Sequence, residues 1–160
     1  MRFSAKAEYG IWALTELALN EGRGPLQVRT ISRRHHIPLR FLEQVMSVLK
    51  NAGLVESIRG AQGGYILSRP PEEISLAEII ETIDGPLSPM ICISEGQEKG
   101  QGQEDDRQCL QPSEPPRCVL KGVWSDVRKA ILGVLGAVSL QELCDRYRLT
   151  EQKKNVMFHI

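Results

Sequence analysis

The sequence predicts a mainly α-helical protein carrying one small β-hairpin, on three observations. Apolar residues recur at helical spacing along most of the chain. Two short alternating segments flank a glycine-rich tip, Arg59 to Gly64. Helix-opening Ser-x-x-Glu boxes occur twice, at Ser75/Glu78 and at Ser139/Glu142.

Ser4 caps a first helix on which Ala7, Ile11, Leu14 and Leu17 repeat, and Gly22 suits a left-handed end near Asn20. Gly24-Pro25 breaks the chain, and a short helix containing Ile31 runs from about Arg29 to His35. Ile37-Pro38-Leu39 reads as a turn, because proline fixes its own φ and keeps its predecessor out of the helical region. The next helix carries the stripe Leu42, Val45, Met46, Leu49 and stops at Gly53. Its other face offers Arg40, Phe41, Glu43, Gln44, Ser47 and Lys50. Leu54 to Ile58 alternates as a strand, and Tyr65 to Leu67 returns antiparallel. This order is that of a winged helix-turn-helix.

Ser75 opens a helix with Leu76, Ile79, Ile80 and Ile83 on one face, ended by Gly85-Pro86. Residues 85–118 hold five prolines, four glycines and five glutamines, the composition of a long irregular loop. Beyond it Leu120, Trp124, Val127, Ile131, Val134, Leu135 and Val138 form a broad stripe over about five turns. A short helix follows from Ser139 through Tyr147, with Cys144 as a small buried residue. The stripe needs a partner surface, and the same helix of a second copy is the natural one, so a twofold homodimer is expected. The expected organisation is a winged helix-turn-helix DNA-binding domain at 1–84, a cysteine-bearing cofactor loop at 85–118, and a dimerization helix with a C-terminal tail at 119–160.

The chain has 160 residues and a net charge of zero, but the charge is unevenly spread. Residues 1–69 carry ten Lys/Arg against five Asp/Glu, whereas residues 70–118 carry three against eleven. A basic front suits a polyanion. No stretch approaches the ~20 apolar residues of a membrane span, and the first residues do not resemble a signal peptide, so no membrane partner and a cytoplasmic location are expected. No nucleophile–base pair or phosphate-binding loop argues for an enzyme.

In the helix after Pro38, Arg40 suits a phosphate or guanine, Gln44 an adenine, and Glu43 a cytosine amino group. The plain alternative is a solvated helix face. In the hairpin, Gly60 and Gly63 let backbone approach the sugar-phosphate chain, and Arg59 suits a narrow minor groove. A turn that simply needs glycine is the alternative there. His35 and His36 read as surface or phosphate-proximal residues.

Met1-Arg2-Phe3-Ser4, Phe41-Leu42-Glu43-Gln44, Lys50 to Val55 and Arg59 to Tyr65 resemble the Rrf-two family of bacterial winged-helix regulators. Cys118, Trp124 and Ser139 to Leu143 extend the likeness to about residue 145, and the branch most resembled is that of the IscR iron–sulfur cluster regulators. The resemblance implies a homodimer on pseudo-palindromic, double-stranded promoter DNA, with Glu43 and Arg59 among the contacts. It also implies repression of cluster-assembly genes.

Three of the four cysteines, Cys92, Cys109 and Cys118, fall in the 85–118 loop. In a reducing compartment, clustered thiols suit metal ligation, and thiolates are the usual ligands of an iron–sulfur centre. The resemblance favours a 2Fe-2S over a 4Fe-4S cluster. The gaps of sixteen and eight residues are wider than in that branch, and Lys121 stands where its histidine ligand would be. The resemblance to related cluster regulators for nitric oxide and redox signals implies an acidic residue of the first helix instead, reaching across from the partner subunit, which makes Glu8 the candidate fourth ligand; an exposed helix glutamate is the alternative reading. Zinc on three thiolates and a carboxylate is a further alternative. The ending Met157-Phe158-His159-Ile160 resembles the tail of the family's cysteine-metabolism regulators, which implies cysteine synthase as an alternative input. A small electron-transfer protein would account for the cysteines but not for Arg59 and the hairpin.

Overall fold

The computed structural model describes the backbone of residues 3–87 and 119–157, and the side chains of 3–87 and 122–152. Its elements are α1 (Ala5–Leu19), α2 (Val28–His35), α3 (Leu39–Asn51), β1 (Val55–Ile58), β2 (Gly64–Leu67), a 3-10 turn (Pro71–Glu73), α4 (Leu76–Asp84), α5 (Val119–Ala137) and α6 (Leu140–Met157). The mainly helical fold with one hairpin matches the sequence expectation.

The helix starts follow local chemistry. Ser4 Oγ accepts from the Ala7 amide at 3.1 Å, and Ser75 and Ser139 accept from the Glu78 and Glu142 amides at 3.2 Å each. Each cap satisfies an amide that has no partner within the helix, worth about 0.5–2 kcal/mol. The two box-bearing segments also pair with each other. Leu76 N–H donates to Val138 O at 2.9 Å and Leu140 N–H to Ile74 O at 2.8 Å, which brings the start of α6 beside the start of α4.

Leu14, Ile31, Leu42, Met46, Leu49 and Leu54 are fully buried and join α1, α2, α3 and the hairpin into one core. Burying such a side chain is worth about 1.5–3 kcal/mol. On α4, Ile79 and Ile80 are buried while Leu76 and Ile83 are half-buried. Leu140 and Cys144 close the core from α6, and Cys144 Sγ lies 3.8 Å from Thr15 O. Burial in this apolar seam pushes the Cys144 thiol up to about 11.

β1 and β2 pair antiparallel, with Val55 opposite Leu67 and Ser57 opposite Tyr65. A third segment joins them: Leu26 and Tyr65 exchange both backbone hydrogen bonds, at 3.0 and 2.9 Å. A Cβ on Gly64 would strike the Leu26 backbone, so glycine there is a condition of this pairing.

Two expectations need correction. The last helix continues past Tyr147 to Met157, because residues 140–157 contain neither glycine nor proline to stop it. The stripe on α5 is divided rather than single. Trp124, Ile131, Leu135 and Val138 are half-buried and α5 packs against α4, whereas Val123, Val127 and Val134 are exposed, Val134 by 67%. At 3.6 residues per turn these sets form adjacent stripes, roughly 75° apart around the helix.

Candidate nucleic-acid interface

α2 and α3 meet at a sharp corner. His36 ends α2 in the left-handed conformation (φ 53), Ser32 Oγ donates to Ile37 O at 2.7 Å, and Pro38 precedes the first residue of α3. α3 buries Leu42, Val45, Met46 and Leu49. Arg40, Glu43, Gln44, Ser47 and Lys50 are exposed on it, as the sequence led one to expect.

Phe41 departs from that face. It is half-buried against the core and meets Tyr9 of α1 edge-on, with ring centroids 5.5 Å apart. Lys6 Nζ lies 5.9 Å from the centre of the same ring. Phe41 therefore holds α3 against α1 instead of pointing outward. A sequence signal for this existed: Phe41 lies four residues before Val45 and so continues the apolar stripe.

Arg59 and Gly60 are exposed at the hairpin tip, and Gly60 has φ 119. Gly63 donates its amide to Gly60 O at 2.9 Å, and a Cβ on Gly63 would meet the Ile58 carbonyl. The turn itself thus requires glycine at 63. Lys50 Nζ donates to Ser57 Oγ at 2.6 Å, linking the last turn of α3 to the hairpin.

The cations of this half sort into two groups. Arg34 and Arg69 are paired, with Glu16 and Glu78, at 2.5 Å each. Lys6, Arg23, Arg29, Arg33, Arg40, Lys50 and Arg59 are exposed and have no carboxylate partner among the described residues. Arg29 and Arg33 are four apart and share one face of α2, a pair that sequence reading missed. Such unpaired cations around an exposed helix and a hairpin suit contacts to phosphates, which fix register while base edges are read.

His35 was expected at the surface, but its ring is stacked on Trp12 at 4.8 Å and Nε2 lies 2.9 Å from Glu16 Oε1. His36 is exposed.

Of the proposed cluster ligands, Cys92, Cys109 and Cys118 lie outside the described residues, as do the Lys121 side chain and residues 158–160 of the tail. Among the described residues no group of three His, Cys, Asp or Glu converges on a metal position. Glu8 is exposed on the first turn of α1, with no ion-pair partner among the described residues. One turn before it, the Ser4 amide donates to Asp84 Oδ2 at 3.0 Å, and the Ser4 hydroxyl bonds the other oxygen. The end of α4, from which the chain enters the cysteine-bearing region, is thereby fixed beside the Glu8 turn.

On α5, Trp124 Nε1 and Arg128 Nε are buried donors without an acceptor among the described residues. No helix among the described residues is long and apolar enough to cross a membrane.

Comparisons with known proteins agree with this geometry. The regulator CymR of Bacillus subtilis strain 168 is 34% identical over 160 residues, covering all of both chains. The regulator IscR of Photorhabdus laumondii is 34% identical over 151 residues, 94% of this chain and 84% of that one. Among solved structures, CymR, described as the global cysteine regulator of B. subtilis, superposes with a TM-score of 0.70 at 33% identity, covering 91% of this chain and 98% of that one. IscR of T. potens gives 0.66 at 33% identity, covering 92% and 88%. The profile of the Rrf2 family, described as iron-dependent transcriptional regulators, matches residues 3–146. The chain therefore belongs to the Rrf2 (Rrf-two) family of DNA-binding transcriptional regulators.

Proposed function

We propose that this regulator is a homodimeric repressor of promoter DNA whose operator affinity depends on an iron–sulfur centre held by Cys92, Cys109, Cys118 and Glu8. The observation that carries the reading is the Ser4–Asp84 tie beside Glu8. Cys92 follows Asp84 by eight residues, a span of at most about 28 Å, so its thiol is within tether length of Glu8 of the same chain, a within-subunit arrangement where the resemblance implies a cross-subunit one. When bound, the cluster supplies a rigid crosslink between the cysteine region and α1. α1 in turn grips α3 through Tyr9 and Phe41, which gives cluster status a route to the DNA-reading helix. The exposed Val123, Val127 and Val134, together with the orphaned donors of Trp124 and Arg128, support a second copy along α5. Arg40, Glu43 and Gln44 read bases in this account, while Arg59, Gly60 and Gly63 bring the hairpin to the backbone.

Purification without oxygen, followed by iron and sulfide assay and visible absorbance, tests the cofactor. A colourless protein that stays free of iron after reconstitution rejects it. 2Fe-2S and 4Fe-4S forms are distinguished by the same spectra and the iron count.

The full-length match to CymR favours a second reading, in which the input is sulfur status. Cysteine synthase would then bind through Met157 to Ile160. Pull-down with that enzyme should succeed with the whole chain and fail when the last four residues are removed; failure with both removes this reading.

A further inference from the structure

The corner between α2 and α3 is held from inside the protein. Glu16 lies on α1 with its side chain only 8% exposed. Two consecutive residues at the end of α2 share its carboxylate: Arg34 Nη1 donates to Oε2 at 2.5 Å, and His35 Nε2 meets Oε1 at 2.9 Å. Stacking on Trp12 at 4.8 Å, with the rings 26° apart, holds the His35 ring in place. The next residue, His36, is the left-handed residue of the turn, and α3 begins three residues later at Leu39.

We propose that Glu16 is a positioning residue for sequence recognition: by clasping Arg34 and His35 it fixes the angle at which α3 is presented to DNA. The inference rests on the reading of α3 as the recognition helix. Glu16 lies away from water, so leaving its carboxylate without partners is costly, and its two contacts tie the end of α2 to α1. Base edges are read only when side chains sit within hydrogen-bonding distance, so a small change in the α2–α3 angle removes base contacts together. Attraction to phosphates is tolerant of such a change. It depends on exposed cations such as Lys6, Arg29, Arg33, Arg40 and Arg59, none of which Glu16 contacts. Glu16 therefore acts on specificity and leaves general affinity for DNA in place.

The test uses the full-length protein and two duplexes: one selected by the wild type from a random pool, and one of scrambled sequence and equal composition. Glu16→Gln should weaken binding of the selected duplex by about tenfold or more, the scale of one lost base contact. Its affinity for the scrambled duplex should stay the same or rise, since Arg34 is released. Arg34→Gln changes a residue whose side chain is 57% exposed and keeps the test decisive if Glu16→Gln does not fold. It should lower the ratio of selected to scrambled affinity, while Glu16→Asp should recover part of that ratio. Parallel loss on both duplexes, or no change on either, overturns the positioning role. A wild type that selects no sequence from the pool overturns the DNA-reading function itself, before any variant is measured.

Discussion

Phe41 meets Tyr9 edge-on, with ring centroids 5.5 Å apart and planes at 86°, and this contact pins the first turn of α3, the proposed DNA-reading helix, to α1. Phe41→Ala should destabilise the protein by about 1–3 kcal/mol, the range for losing a half-buried aromatic with a ring partner. Operator binding should weaken with it. Urea unfolding and fluorescence anisotropy with labelled DNA check the two effects, and Phe41→Leu should restore most of the stability.

Arg59 and Glu43 should fail in different ways. Arg59→Ala should weaken binding to every sequence and reduce the salt dependence by about one phosphate contact. Glu43→Ala should alter base preference at one position, by about 1–3 kcal/mol, with the salt dependence unchanged. Titrations at several salt concentrations against single-base operator variants separate the two.

Val134 is 67% exposed on α5, so replacing it should barely affect the folding of one chain, within about 0.5 kcal/mol. Val134→Asp should nevertheless convert the proposed dimer to monomer in sedimentation analysis. Affinity for a two-half-site operator should fall, because each monomer then binds one half-site alone.

The Cys144 thiol is raised from the ordinary 9.0 to about 11 by burial. The unfolded chain releases this proton first as pH rises, so the thiol's contribution to stability is intact below pH 9 and is lost as pH climbs towards 11. Melting temperatures between these values should fall less steeply for Cys144→Ala. At neutral pH the same thiol should resist alkylation in the folded protein.

What could be read from the sequence was local. Ser4, Ser75 and Ser139 announced their helices because a cap and its amide lie three residues apart. The hairpin was legible from alternation around glycine. Contacts between distant segments were not: nothing in the sequence pairs Glu16 with His35, nineteen residues on, or Leu26 with Tyr65. Gly64 was read as part of a DNA-approaching tip, while its local reason is the passage of the Leu26 backbone. The division of the α5 stripe had a faint signal, since Val123, Val127 and Val134 lie on a line of their own.

Operator affinity measured on one anaerobic preparation, before and after cluster reconstitution, tests the coupling of cofactor to DNA most directly. The account predicts a difference of about tenfold or more, the scale of a coupling free energy above roughly 1 kcal/mol, and its loss in Cys92→Ala and Glu8→Ala. Equal affinities for the loaded and unloaded protein would contradict it.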